Sequence, residues 1–209
     1  MNKKEIVKKI EAAKKISKKR KFRQSFEICI NFKNVDMSST DKLNIHVKLP
    51  KGRGKDVEIG VFADGDLNLK AKKLSKYVLS RAEIEDYTKD RRKMKKFANS
   101  CYAFISQPDL MQIVGKNWGI VLAPRGKMPY IIPPNVDLKG FIEDIKNTVR
   151  IRSKKNPTVH VPVGTEDMKS EDLAENILAV INSIEKRIPI EKISSIYCKT
   201  TMGPAVKIK

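Results

Sequence analysis

The sequence predicts a two-domain α/β protein in which one domain interrupts the other. Three observations carry that prediction. Both end segments contain strands of alternating apolar and polar residues, each with one amphipathic helix. The middle instead alternates short apolar runs with helical stretches, the pattern of a parallel sheet between helices. Neither end is self-sufficient: the N-terminal piece supplies one helix and two strands, the C-terminal piece three strands and one helix. Joined, they make a two-layer sheet carrying two helices. The expected boundaries are 1–53 with 150–209 for the discontinuous domain and 54–149 for the insertion. The chain would cross near Lys51–Lys55 and Thr148–Arg152, with Pro50, Gly52 and Gly54 as the hinge.

Each element has its own reason. Ile6, Ile10 and Ala13 recur at helical spacing and predict a helix over 2–16 with a lysine-rich outer face. Phe26, Ile28, Ile30 and Phe32 alternate with polar residues, as do Leu43, Ile45, Val47 and Leu49 after a Ser/Thr/Asp loop; both read as half-buried strands. Val57–Phe62 is a strand covered on both faces. The middle then reads as helix over 69–79, helix over 85–97, strand at 103–105 and helix at 109–114 opened by Pro108. A third strand at Ile120–Leu122 leads into a loop over 123–129, and a last helix spans 141–148. Val159, Val161 and Val163 alternate again. Leu173, Ile177, Val180, Ile181 and Ile184 share one face of a helix over 171–187, with Ser170 and Asp172 as its capping chemistry. Strands at 193–200 and 205–208 flank a Met-Gly-Pro turn.

Charge narrows the partner. The 209 residues carry 44 Lys and Arg against 24 Asp and Glu, net +20. Residues 1–53 hold net +11, 54–149 net +5 and 150–209 net +4, so the ends dominate. Such an excess favours phosphate backbones or an anionic membrane. No apolar run approaches the ~20 residues of a membrane span, and no secretory leader opens the chain, so a cytoplasmic protein is expected. Three dispersed cysteines, Cys29, Cys101 and Cys198, form no disulfide framework and read as buried thiols. With only His46 and His160 besides, a metal site is not expected, nor is a cofactor.

One short segment concentrates binding chemistry. Thr200-Thr201-Met202-Gly203-Pro204 ends a strand with hydroxyls, a polarizable thioether, a bare backbone and a stiff ring. The bland alternative is an ordinary turn, where Gly-Pro is common. Phe22 lies outside the alternation of the first strand, and Glu27 opposes its Phe26/Ile28 side. On composition alone Phe22 would be a core aromatic and Glu27 an exposed strand residue.

Five segments in order resemble one family. They are Lys21-Phe22 with Ser25-Phe26-Glu27-Ile28, Val47-Lys48-Leu49-Pro50 with Gly52 and Gly54-Lys55, Pro124-Arg125-Gly126-Lys127-Met128-Pro129, His160-Val161-Pro162-Val163-Gly164, and the Thr-Thr-Met-Gly-Pro run. Spanning nearly the whole chain, they resemble large-subunit ribosomal protein one. Ala123, where many relatives have glycine, and the Tyr130-Ile131-Ile132-Pro133-Pro134 tail are similar to archaeal members. The resemblance implies a Rossmann-like, three-layer inserted domain and a terminal domain that binds large-subunit rRNA at the mobile stalk, near exit-site tRNA. It also implies repression of the protein's own mRNA, through its leader or coding region, and a monomer when free. The implied RNA contacts are Lys21, Phe22, Glu27, Arg152, Lys154, Lys155, Thr200, Thr201, Met202, Gly203 and Pro204, with Lys19, Arg20 and Arg23 on phosphates. In that setting Phe22 packs on a ribose or base, and Glu27 accepts from a 2′-hydroxyl or base amino group. The loop at Arg125–Pro129 either touches RNA or tRNA or contacts the first domain across the hinge.

Two rivals remain. A nucleotide-binding enzyme would use the central domain, but the sequence lacks a phosphate loop, and Gly52 and Gly54 precede the strand instead of following it. A membrane-surface protein would use the first helix, which has no large aromatic residue to insert.

Overall fold

A computed structural model describes residues 2–36, 42–132 and 137–209. These gather into two compact units, 1–55 with 147–209 and 56–146.

In the first unit, helix α1 (Lys3–Ile16) starts where the Asn2 side chain accepts from the N–H of Lys4. Glu5 in its first turn and Lys14 and Lys15 in its last suit the helix dipole. Strand β1 (Ser25–Phe32) alternates strictly, burying Phe26, Ile28, Ile30 and Phe32. It pairs antiparallel with β8 (Thr158–Thr165) on one side and β9 (Ile193–Thr200) on the other, and β10 (Val206–Lys207) adds to β9. The helix α7 (Ser170–Glu185) and α1 cover one face of this four-stranded sheet. Ile6, Ile10, Leu173, Ile177 and Val180 join the inward residues of the strands in one core. Strand β2 (Asn44–Lys48) pairs with β7 (Thr148–Arg152) in a separate two-stranded ribbon.

Several expectations change here. Strand β7 falls where only a chain crossing is expected, because Val149 and Ile151 alternate inward. The cap of α7 is Lys169, with no side-chain hydrogen bond; the predicted pair instead leaves Ser170 as the first helical residue and Asp172 in the first turn. The Ser/Thr/Asp loop expected after β1 and the Pro133-Pro134 tail lie largely outside the described residues.

In the second unit, β3 (Ile59–Phe62), β4 (Tyr77–Leu79), β5 (Ala103–Ser106) and β6 (Tyr130–Ile131) form a parallel sheet in the order β4-β3-β5-β6. Helices α2 (Gly65–Leu74) and α6 (Leu138–Lys146) pack on one face through Ala71, Leu138 and Ile142. Helices α3 (Arg81–Thr88), α4 (Arg91–Ser100) and α5 (Pro108–Arg125) pack on the other around Phe97, Phe104 and Trp118. Three layers result, as expected of a Rossmann-like fold.

The detailed readings of this unit are corrected at four places. Residues 69–79 are not one helix: α2 ends at Leu74, the Ser75 hydroxyl donates to the carbonyl of Ile59, and β4 follows. The stretch 85–97 is two helices, parted at Asp90, whose carboxylate accepts from the N–H groups of Arg92 and Lys93 and starts α4. Ile120–Leu122 is helix, because Val114, Trp118, Val121 and Leu122 are buried at helical spacing while Ile120 is exposed. The 123–129 loop therefore follows a helix. It begins at Gly126, whose φ of 66° closes α5 in the left-handed region.

Candidate nucleic-acid interface

The Thr-Thr-Met-Gly-Pro corner is built around a buried amide. Gln24 is 1% exposed. Its Nε2 donates to Glu166 Oε2 at 3.0 Å and to the carbonyl of Lys18 at 3.2 Å, and its Oε1 accepts from the N–H of Met202 at 3.1 Å. Its own N–H donates to Glu166 Oε1. One side chain thus ties the exit of α1, the end of β8 and the corner together.

The predicted site residues separate into three groups. Met202 and Phe22 stand out from the surface, 58% and 52% exposed, and Pro204 is exposed beside them in sequence. Lys19, Arg20 and Lys21 are exposed on the same approach from α1. A hollow of about 510 Å³ opens between this run and the end of β8, lined by Lys14, Lys18, Arg20, Glu166 and Thr200. Burial lowers the Lys14 ammonium below its ordinary pKa, and it donates to the carbonyl of Met168.

A second group is committed internally. Thr200 is 1% exposed and its hydroxyl shares a 2.6 Å hydrogen bond with Ser17, so it is committed mainly to the inside of the fold. Thr201 Oγ1 accepts from the N–H of Ser25 at 3.0 Å and donates to its carbonyl at 3.2 Å. The hydroxyl is a pin, leaving one lone pair for a ligand. Gly203 is small for an inner reason: a Cβ there would lie 2.3 Å from Thr200 Oγ1. Arg23 forms an ion pair with Asp167, a carboxylate that a phosphate would have to displace.

A third group lies elsewhere. Ser25 at one end of β1 meets Thr201, whereas Phe32 at the other end meets Pro157. Arg152, Lys154 and Lys155 belong to that far end, a strand length of about 24 Å away at ~3.4 Å per residue. They are exposed but do not join the corner.

Between the two ends runs the uncovered face of the sheet. Glu27 stands across from Lys199, and Cys29 between His160 and Tyr197. Asn31 donates to the Ser195 hydroxyl at 2.9 Å and accepts from Thr158 at 3.0 Å. Ser195, Tyr197 and Lys199 share this face with Asn31, Cys29 and Glu27, as their alternation with the buried Ile196 and Cys198 signals. Cys29 is half-buried on this face, unlike the buried Cys101 and Cys198.

The expected hinge is bolted down. Gly52 and Gly54 hold φ of 65° and 67°, which glycine alone tolerates freely. Asn176, buried in α7, accepts from the N–H of Lys51 at 3.0 Å and donates to the carbonyls of Gly52 and Val163, both at 2.8 Å. Pro50–Gly54 is therefore part of the first unit's frame.

In the second unit, the Lys127 ammonium donates to the carbonyls of Ala98 and Cys101 at 2.8 and 2.6 Å, closing the end of α4. Arg125 donates to Val121 and Asn99. The loop's cations serve its own unit. Where a nucleotide would sit, beyond β3 and β5, the helix starts carry Asp64, Asp66 and Asp109, which repel phosphate. Among the described residues there is no group of side chains that could hold a metal, and no helix is long and apolar enough to cross a membrane.

Comparison with known proteins places the chain in a family. Residues 9–204 match the family described as ribosomal protein L1p/L10e. A large ribosomal subunit protein uL1 of Thermoplasma volcanium is 42% identical over 207 residues, covering 98% of this chain and 95% of the relative. Those of Thermoplasma acidophilum and Pyrococcus abyssi are each 43% identical, over 100% and 98% of this chain and 98% and 95% of their own. The chain belongs to the ribosomal protein L1p/L10e family, a family of ribosomal proteins and not of enzymes.

Proposed function

We propose that this protein is a constituent of the large ribosomal subunit that binds large-subunit rRNA through the corner of its first unit. The observation that carries the reading is the exposure of Phe22 and Met202, with the Met202 backbone tied to the buried Gln24 and the exposed cations Lys19, Arg20 and Lys21 preceding Phe22. Two exposed apolar side chains at a cationic surface suit stacking on riboses or bases, with lysines supplying salt-sensitive attraction. Pre-ordered by hydrogen bonds, the corner loses little freedom on binding. Glu27 lies on the adjoining open face, ready to accept from a 2′-hydroxyl.

The finer reading follows from the family resemblance. The protein works in the cytoplasm, at the mobile stalk near exit-site tRNA, and free copies act as monomers that repress translation by binding the same shape in their own mRNA. One surface serves both RNAs, so they compete. Filter binding with a large-subunit rRNA fragment and the mRNA tests this. Met202→Ala and Phe22→Ala should each weaken binding of both RNAs about tenfold or more, and excess rRNA fragment should release the mRNA. Variants that bind like the original chain would remove the corner from the site.

A further inference from the structure

The second unit carries a cationic surface that this reading leaves unused. Residues 56–146 hold 16 Lys and Arg against 12 Asp and Glu, and the eight residues 89–96 alone hold six of those cations and one acid. The rest of the unit carries no positive excess. The charge is therefore a local feature of α4.

Helix α4 turns Met94, Phe97 and Ala98 inward, which forces Arg91, Arg92, Lys93, Lys95 and Lys96 outward, all exposed. Lys89 pairs with Asp86, but none of these five has an ion-pair partner among the described residues. Their placement opposes the helix. Arg91, Arg92 and Lys93 crowd the first turn, where the dipole is positive, and the single acid there, the N-cap Asp90, is committed to the backbone N–H groups of Arg92 and Lys93. Arg91 faces Lys95, and Arg92 faces Lys96, at the four-residue spacing where like charges repel. The last turn, where cations would help, has none of its own and is closed by Lys127 instead. An arrangement that costs stability within its own unit is expected where a partner relieves it.

We propose that the outer face of α4 is a second, sequence-independent contact for the phosphate backbone of RNA. A ten-residue helix is about 15 Å long, which spans several successive phosphates. Such a contact positions the RNA and adds affinity without reading bases. The inference rests on the RNA partner proposed above but not on the corner.

The test uses the full chain and its Arg92→Gln/Lys95→Gln/Lys96→Gln variant, with a large-subunit rRNA fragment across a salt series. Loss of three phosphate contacts should lower the slope of log affinity against log salt by about 2–3 and weaken binding at least tenfold at low salt. The Arg92→Lys/Lys95→Arg/Lys96→Arg variant should bind like the original chain. Met202→Ala should weaken binding with its slope nearly intact, which separates the two sites. An unchanged slope in the Gln variant, with the original chain binding normally, would overturn the α4 contact. So would a defect confined to anionic lipid vesicles. Failure of the original chain to bind the fragment at all would instead remove the parent reading.

Discussion

Gln24 Oε1 accepts the backbone N–H of Met202 at 3.1 Å, although 178 residues separate them. The most exposed side chain of the corner is thus oriented by one of the most buried amides in the chain. Gln24 has its donor and acceptor groups filled, and its partners come from three elements. Such a network holds only while every member is satisfied.

Gln24→Leu removes the network while keeping the volume. It removes the acceptor of the part-buried Met202 N–H and one donor to Glu166, at about 1–3 kcal/mol in total since both groups can still reach water. Urea unfolding should show the loss. RNA affinity should fall further than stability explains, because Met202 is no longer held.

Gly203→Ala should destabilise by overpacking, since its Cβ would lie 2.3 Å from Thr200 Oγ1 and 3.1 Å from Ser17 Oγ. Thr200→Ala should relieve the clash. The double variant should therefore be more stable than the sum of the two single losses predicts, and a double-mutant cycle measures that coupling.

These two residues also show what a sequence can and cannot tell. The strands β1 and β9 and the helix α7 were legible because each has a period long enough to count, as in Phe26, Ile28, Ile30 and Phe32. β4 and β6 were not, since three or two residues cannot establish alternation. Ile120–Leu122 misled because a run of three apolar residues looks alike in a buried strand and in a helix, and the neighbours that decide, Val114 and Trp118, lie a turn or more away. At the corner, Phe22 and Met202 are exposed against their residue type, which favours burial, and it is the family resemblance that points to them. Gln24 did not stand out, because an amide two residues after an aromatic gives no sign that its partners lie at 18, 166 and 202. For Arg152, Lys154 and Lys155 charge is visible in sequence, but the end of the sheet it occupies is set by pairing register.

Asn176→Leu should destabilise the first unit. It removes one acceptor and two donors at once, from Lys51, Gly52 and Val163. The expected loss is about 1–3 kcal/mol, chiefly from the buried carbonyl of Val163, because the groups of Lys51 and Gly52 lie nearer to water. Hydrogen exchange should report faster exchange at the N–H of Lys51 before any global change. Protection there equal to that of the original chain would mean that Pro50–Gly54 is held by other contacts.

The thiols give a pH-dependent prediction with a definite sign. Burial is the first cause raising Cys101, to about 12, and Cys198, to about 11, from an ordinary 9.0. A thiol whose folded pKa lies above its unfolded value favours the fold fully below the unfolded value, and that contribution is lost as pH rises through the folded one. Between pH 9 and 12 the unfolded chain therefore releases protons that the folded chain keeps, and stability falls across that window. Against a background of titrating lysines, the comparison is with Cys198→Ala. Its packing loss lowers stability at neutral pH, but its decline from pH 9 to 11 should be shallower. Alkylation at pH 8 followed by mass spectrometry should modify the half-buried Cys29 first and reach Cys101 and Cys198 only in denaturant. Equal labelling of all three in the folded chain would mean that the cores around Cys101 and Cys198 open far more readily than their burial indicates.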